Sequence, residues 1–159
     1  MKLLLWSIGK THEPYVIGGI EDFTKRIGRY FPVEWNLIAP LKNAASLSPA
    51  DTKKKEGETL QGQLSGLKDH YLVTLDEYGK QFTSEGLARF LQGRANDSSK
   101  DIVFLIGGVF GLDETILRLS DLRWSLSQLT LPHQLVRLIL TEQIYRACTI
   151  LRNEKYHHA

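Results

Sequence analysis

Asp101-Ile102-Val103-Phe104-Leu105-Ile106-Gly107-Gly108-Val109-Phe110-Gly111-Leu112 passes from an apolar run into three glycines within five positions. Residues 101–106 show no polar alternation, the pattern expected of a central parallel strand covered on both faces. The glycines then read as a strand-to-helix turn in which the backbone bends sharply and approaches a packing partner or a ligand closely. The spacing is not G-x-G-x-x-G, and no Gly-Lys-Ser/Thr follows, so neither a dinucleotide fingerprint nor a phosphate-binding P-loop is present. Backbone contact to a planar ligand stays open.

Outward from this run, strand and helix signals alternate. Residues 2–8, 32–39, 70–76 and 123–126 read as further strands, with Val33, Trp35 and Leu37 on one face of the second. Helical spacing is expected over 13–29 (Tyr15, Ile20, Phe23, Ile27), 84–95 (Leu87, Phe90, Leu91) and 113–120, the last capped by Asp113. Ser48, Pro49 and Asp51 open a helix reaching about Leu64, and Pro132 opens the longest helix, ending near Arg152. Residues 40–50 are small, polar and proline-marked, hence a loop. The expected fold class is α/β, one domain over 1–159, with a mostly parallel sheet and helices on both faces. Ligands in such a sheet bind outside the carboxyl ends of the strands. That rule singles out residues 76–80, 107–112 and 127–134.

The chain has 159 residues, 42% hydrophobic and 24% charged, enough for a core without disulfides or metal. Its one cysteine, Cys148, cannot form an internal disulfide, and a reducing, cytoplasmic setting is expected. Residues 3–8 are apolar but too short for a secretory segment, and no stretch approaches the roughly 18 apolar residues of a membrane span. Net charge is +2, from 20 Lys and Arg against 18 Asp and Glu. That is weak support for gripping nucleic acid by charge alone. Lys53-Lys54-Lys55, flanked by Asp51 and Glu56, reads as a solvated helix face.

Ser127-Gln128-Leu129-Thr130-Leu131-Pro132 places two leucines in a loop rather than in a periodic element. They suit a flat apolar group such as adenine, or else cap the core. In the helix that follows, Val136, Leu140, Ile144, Ala147, Cys148 and Leu151 form the core stripe. A second line, His133, Arg137, Thr141 and Tyr145, faces either a cleft near the helix N-terminus or solvent, and Glu142 with Arg146 forms an i, i+4 pair. His157 and His158 lack a third ligand at usable spacing, so no metal site is expected. Hydrolase motifs of the H-E-x-x-H and G-x-S-x-G kind are absent.

Several runs together resemble one family. They are Leu105-Ile106-Gly107-Gly108-x-x-Gly111-Leu112, the stretch from Trp124 through Leu126-Ser127-x-Leu129-Thr130-Leu131-Pro132-His133 to Arg137, Glu142-Gln143-x-Tyr145-Arg146-Ala147, and Tyr156-His157. Met1-Lys2 with Gly9-Lys10, Lys55-Glu56-Gly57-Glu58 and Thr74-Leu75-Asp76 with Gly79-Lys80 extend the likeness over essentially the whole chain. The sequence is similar to the ribosomal RNA large subunit methyltransferase H (RlmH) family of the SPOUT class.

The resemblance implies a C-terminal trefoil knot, a homodimer, and S-adenosylmethionine held in the knot, within about residues 101–159. It implies methylation of N3 of a pseudouridine in 23S rRNA on the assembled ribosome, without metal or membrane. Carried over by position, the cofactor contacts fall on Leu75, Gly108, Ser127, Gln128, Leu129, Thr130, Leu131 and Pro132. The catalytic and RNA-side groups fall on His133, Arg137, Tyr156 and His157, with His133 the candidate for proton handling. His158 stands where the family has a basic residue. The competing readings are a SPOUT enzyme acting on tRNA and a non-enzymatic ribosome-associated factor.

Overall fold

The computed structural model describes residues 1–97 and 100–158, so Ala159, the last residue of the expected domain, lies outside the described residues. Five strands, β1 (Leu3–Ile8), β2 (Val33–Ile38), β3 (His70–Gln81), β4 (Asp101–Ile106) and β5 (Leu122–Ser125), pair in the order β2-β1-β4-β3-β5. Every pairing is parallel. The helices are α1 (Pro14–Ile27), α2 (Pro49–Ser65), α3 (Ser84–Asp97), α4 (Glu114–Leu119) and α5 (His133–Leu151), with a 3-10 turn at Ala44–Ser46 inside the expected loop. The fold is the expected α/β class, and its topology accords with the C-terminal knot that the resemblance implies.

The two-residue period of the strands divides the core into two layers. Leu3, Leu5, Ile102, Phe104 and Ile106 point toward α1, α3 and α5, where they meet Leu87, Leu91, Leu140, Ile144, Ala147 and Cys148. Leu4, Trp6, Ile8, Val103 and Leu105 point the other way, onto Leu60 and Leu64 of α2 and Ile116 of α4. β1 is buried along its whole length and β4 from Ile102 onward, which is why both read as unbroken apolar runs. Cys148 lies in the core, and burial pushes its thiol up to about 12, so it is inert.

Ser48 caps α2, accepting from the Asp51 N–H at 3.1 Å, and Asp113 caps α4 through the Thr115 N–H. Three details depart from the sequence pattern. Tyr15, expected on the core face of α1, is exposed, and Val16 takes that place because it lies four residues before Ile20. β3 continues past Asp76 to Gln81, its register shifting between Leu75 and Lys80 so that Lys80 pairs with Trp124. Lys53 is half-buried rather than solvated, while Lys54 and Lys55 are exposed.

Candidate functional site

The carboxyl ends of β3, β4 and β5 open into one cavity of about 600 Å³. Residues 75–78 form one wall, the glycine loop 107–112 a second, and the leucine loop from Leu126 to His133 a third. These are the three segments that the strand-end rule selects. The wall is not confined to residues 101–159, since Leu75 of β3 and Lys53 of α2 also line it. The volume lies in the ~300–1,000 Å³ range of small-molecule sites.

Each wall has a local cause. In the glycine loop the Gly111 N–H donates to the Gly108 carbonyl at 3.1 Å, and Gly111 has a φ of +83°, a conformation that disfavours a side chain. In the leucine loop, Ser125 Oγ donates to the Ser127 carbonyl at 2.8 Å, and Ser127 Oγ accepts from the Leu129 N–H at 3.0 Å. Thr130 Oγ1 donates to Glu77 Oε2 at 3.0 Å, which ties the leucine loop to the end of β3. Leu75, Gly108, Ser127, Leu129, Thr130 and Leu131 therefore meet around one space, while Gln128 and Pro132 do not line it.

His133, the first residue of α5, lines the same cavity. Burial, helped by the positive charge of Arg137, holds its pKa below the ordinary imidazole value, so the ring is neutral over a wider pH range. A neutral ring nitrogen can accept a proton. Asp76, Glu77 and Glu114 place acidic groups around the cavity, and Leu126, Leu129 and Leu131 supply the apolar lining. The acidic residues, Lys53 and Trp124 lie outside the carried-over positions. Asp76 falls within the strand-end segments, but nothing in the local sequence marks Lys53 as a wall residue.

Arg137 and Thr141 correct the expectation of a polar line facing a cleft or solvent, since both are fully buried. Arg137 Nε donates to Ser7 Oγ at 2.9 Å, Nη2 to the Ile8 carbonyl at 3.0 Å, and Nη1 to the Thr11 carbonyl at 2.8 Å and to His12 Nδ1 at 3.2 Å. The guanidinium thus pins the chain just after β1 to α5. It reaches the cavity only through its effect on His133. The cause is a match of planar donors to acceptors from a distant segment, which helical spacing cannot reveal.

Tyr156 and His157 lie elsewhere. Tyr156 Oη donates to Glu142 Oε1 at 3.1 Å and stacks edge-on against Tyr145. His157 Nδ1 lies 3.3 Å from Arg146 Nη1, so Arg146 donates to it, and the His157 Nε2–H donates to Glu85 Oε1 at 2.8 Å. Arg146 also pairs with Glu142. Between His133 and Arg146 the helix rises roughly 20 Å at 1.5 Å per residue. Within one chain, then, the structure brings His133 to the cavity and leaves Tyr156 and His157 at the far end of α5. Exposed Tyr78, Val109 and Leu129, with half-exposed Phe110, rim the cavity mouth.

Among the described residues, no group of three or more His, Cys, Asp or Glu is arranged to hold a metal ion. Among the same residues, no helix is long and apolar enough to cross a membrane.

The family model described as "Predicted SPOUT methyltransferase" matches residues 1–157. The chain is 42% identical over 158 residues to ribosomal RNA large subunit methyltransferase H of Parabacteroides distasonis, covering 99% of both chains. It is 43% identical over 158 residues to the protein of that name from Flavobacterium johnsoniae, again covering 99% of both. A solved Legionella pneumophila structure in complex with bound SAM shares the fold at a TM-score of 0.53 and 11% identity, covering 92% of this chain and 66% of that one.

Proposed function

Because the chain belongs to the SPOUT methyltransferase family, among the ribosomal RNA large subunit methyltransferase H proteins, we propose that it methylates N3 of a pseudouridine in 23S rRNA, using S-adenosylmethionine. The observation that carries this reading is the convergence of β3, the glycine loop, the leucine loop and His133 on one cavity. The cavity fits the cofactor in size. Its leucines suit the flat apolar face of an adenine, and its acidic groups suit a ligand with net positive charge. Leu75, Gly108, Ser127, Leu129, Thr130 and Leu131 would hold it. When bound, the cofactor supplies a methyl group on a positively charged sulfonium, open to in-line displacement.

The acceptor is the N3–H of a pseudouridine, a weak acid whose nitrogen must lose its proton at or before attack. In this reading His133 takes it: its lowered pKa keeps the ring neutral over a wider pH range, and it lines the cavity at the start of α5. The three walls fix the relative orientation of the reactants, which removes much of the entropic barrier. His133→Ala should cut single-turnover transfer by at least ~10²-fold with little change in cofactor affinity. The wild-type rate should rise with pH through a midpoint below 6.5 and level off above it. Unchanged transfer by the variant would remove His133 from the chemistry.

We propose a homodimer as the working unit of this one domain, in the cytoplasm. Tyr156 and His157 are held at the far end of α5, so a second chain is the arrangement that supplies them to a cavity. The exposed apolar rim of Tyr78, Val109, Phe110 and Leu129 is the kind of surface that a partner covers. A net charge of only +2 fits an enzyme that reads assembled shape rather than one that grips naked RNA.

The deciding experiment is transfer of labelled methyl to ribosomes lacking the modification, with free subunits, naked rRNA and tRNA in parallel. Label at a pseudouridine N3 in intact ribosomes alone is the expected result. Label on tRNA would move the substrate. Absence of both label and cofactor binding would favour a non-enzymatic ribosome-associated factor.

A further inference from the structure

Glu56 is the one buried carboxylic acid among the described residues. It lies on α2 at 9% exposure, and its Oε1 has no hydrogen-bond partner. One turn earlier Thr52, at 5% exposure, has an equally unpartnered Oγ1. A Cβ built on Gly108 would stand 2.9 and 3.0 Å from the two Glu56 oxygens, so the carboxyl occupies the space behind the glycine loop where a side chain would go. α2 is held there by close packing: a Cβ on Gly57 would lie 3.0 Å from Cβ of Asp113, at the start of α4. A buried, unpaired carboxyl against a ligand loop is costly to keep and is not needed for the core.

We infer that Glu56 is a further positioning residue of the cofactor site and its charge sensor: it gives up its proton to solvent when a cationic ligand fills the cavity, and regains it when the ligand becomes neutral. The inference rests on the cofactor reading above. S-adenosylmethionine carries a net charge of +1, and the product left after methyl transfer carries none. An ionised carboxyl directly behind Gly108 favours the first over the second through a low-dielectric layer one glycine thick. Burial already pushes the Glu56 carboxyl above its ordinary range, so without a cationic ligand it keeps its proton to a higher pH than an exposed glutamate does. The same sensor would loosen the spent cofactor once its charge is gone.

Other charged groups face this region. Lys53 comes from α2, Asp113 and Glu114 from the start of α4, Asp76 and Glu77 from the end of β3, Arg123 from β5 and His133 from α5. Any proton linkage they contribute persists when Glu56 alone is changed. This is why Glu56→Gln is the informative variant: it keeps the shape and removes the titration.

The test is calorimetric binding of S-adenosylmethionine and of S-adenosylhomocysteine from about pH 5 to pH 8, in buffers of different ionisation enthalpy. In the wild type, affinity for the charged ligand should rise with pH by up to tenfold per unit and then level off, with proton release on binding, while affinity for the neutral ligand stays nearly flat. In Glu56→Gln the release and most of the slope should vanish, and the preference for the charged ligand should fall about tenfold. Glu56→Asp, which keeps a carboxyl, should retain the slope with a displaced midpoint, and it covers the case in which the amide fails to fold. A folded Glu56→Gln protein with the wild-type slope and preference would overturn the inference and leave the cofactor reading intact. A wild type that binds neither ligand would overturn both.

Discussion

Arg137→Leu is expected to lower the unfolding free energy by about 3–5 kcal/mol, because it strips the donors from a set of buried acceptors. Leucine follows the first part of the arginine stem and leaves the core contacts there largely in place. It cannot replace the donors that now satisfy the buried Ser7 Oγ and Ile8 carbonyl, or the more exposed Thr11 carbonyl. Each buried acceptor left without a partner costs about 1–3 kcal/mol, and the missing guanidinium leaves a void besides. Gly9 shows how tightly the group is enclosed. It has a φ of +128°, and a Cβ there would lie 2.7 Å from Arg137 Nη2.

The loss should appear as a lower denaturant midpoint at unchanged m-value. Arg137→Lys should recover only part of it, since one ammonium cannot reach the acceptors that a planar fork does. A second signature is electrostatic. With the charge of Arg137 gone, the pH midpoint of the single-turnover rate should move up toward 6.5, because that charge helps hold the His133 imidazole low. A loss below about 1 kcal/mol would mean that the segment after β1 is held by something other than the guanidinium.

Gly107→Val should abolish cofactor binding while the sheet stays folded. A Cβ at Gly107 would stand 2.8 Å from the carbonyl carbon of Gly111, 3.1 Å from its oxygen and 3.0 Å from Leu112 Cγ. The obstacle is backbone on the far side of the same loop, which cannot swing away as a side chain can. The loop would have to open, breaking the Gly111 to Gly108 hydrogen bond that gives it its shape. Leu75, the leucine loop and His133 would remain, but the surface they share with the glycine loop would be lost. Affinity should fall at least ~10²-fold, about 2.7 kcal/mol or more. Calorimetric titration with S-adenosylmethionine, alongside far-ultraviolet circular dichroism, checks both halves of the claim. A folded variant binding within threefold of wild type would show that the glycine loop is not a wall of the cofactor site.

Much of this architecture is readable from local chemistry. Residues 101–106 have no polar alternation because β4 lies inside the sheet with helices on both sides, and β1 repeats the pattern for the same reason. The alternation of strands and helices then puts the ligand side at the carboxyl ends, which selects the β3 end, the glycine loop and the leucine loop before any coordinate is known. Those cues survive in sequence because burial and turn geometry act within a few residues of their cause.

Arg137, Glu56 and Lys53 belong to the other kind. Along α5, Arg137 follows His133 at helical spacing and reads as a polar neighbour facing a cleft or solvent, yet its burial depends on acceptors at residues 7–12, at the opposite end of the chain. Glu56 reads as one more charge beside a lysine run. Only the packing of α2 against the turn after β4 turns it into a buried carboxyl behind Gly108. The extension of β3 to Gln81 likewise depends on β5 lying beside it.

The amino-acid sequence alone determined the α/β class, the central strand, the ends of most elements and the segments that line the cavity, because hydrophobic periodicity, caps and glycine turns are local constraints. The tertiary structure alone decided which charges are buried and what they touch. A charged side chain is stable in the interior only where distant backbone or side-chain groups converge to satisfy it, as they do around Arg137 and do not around Glu56.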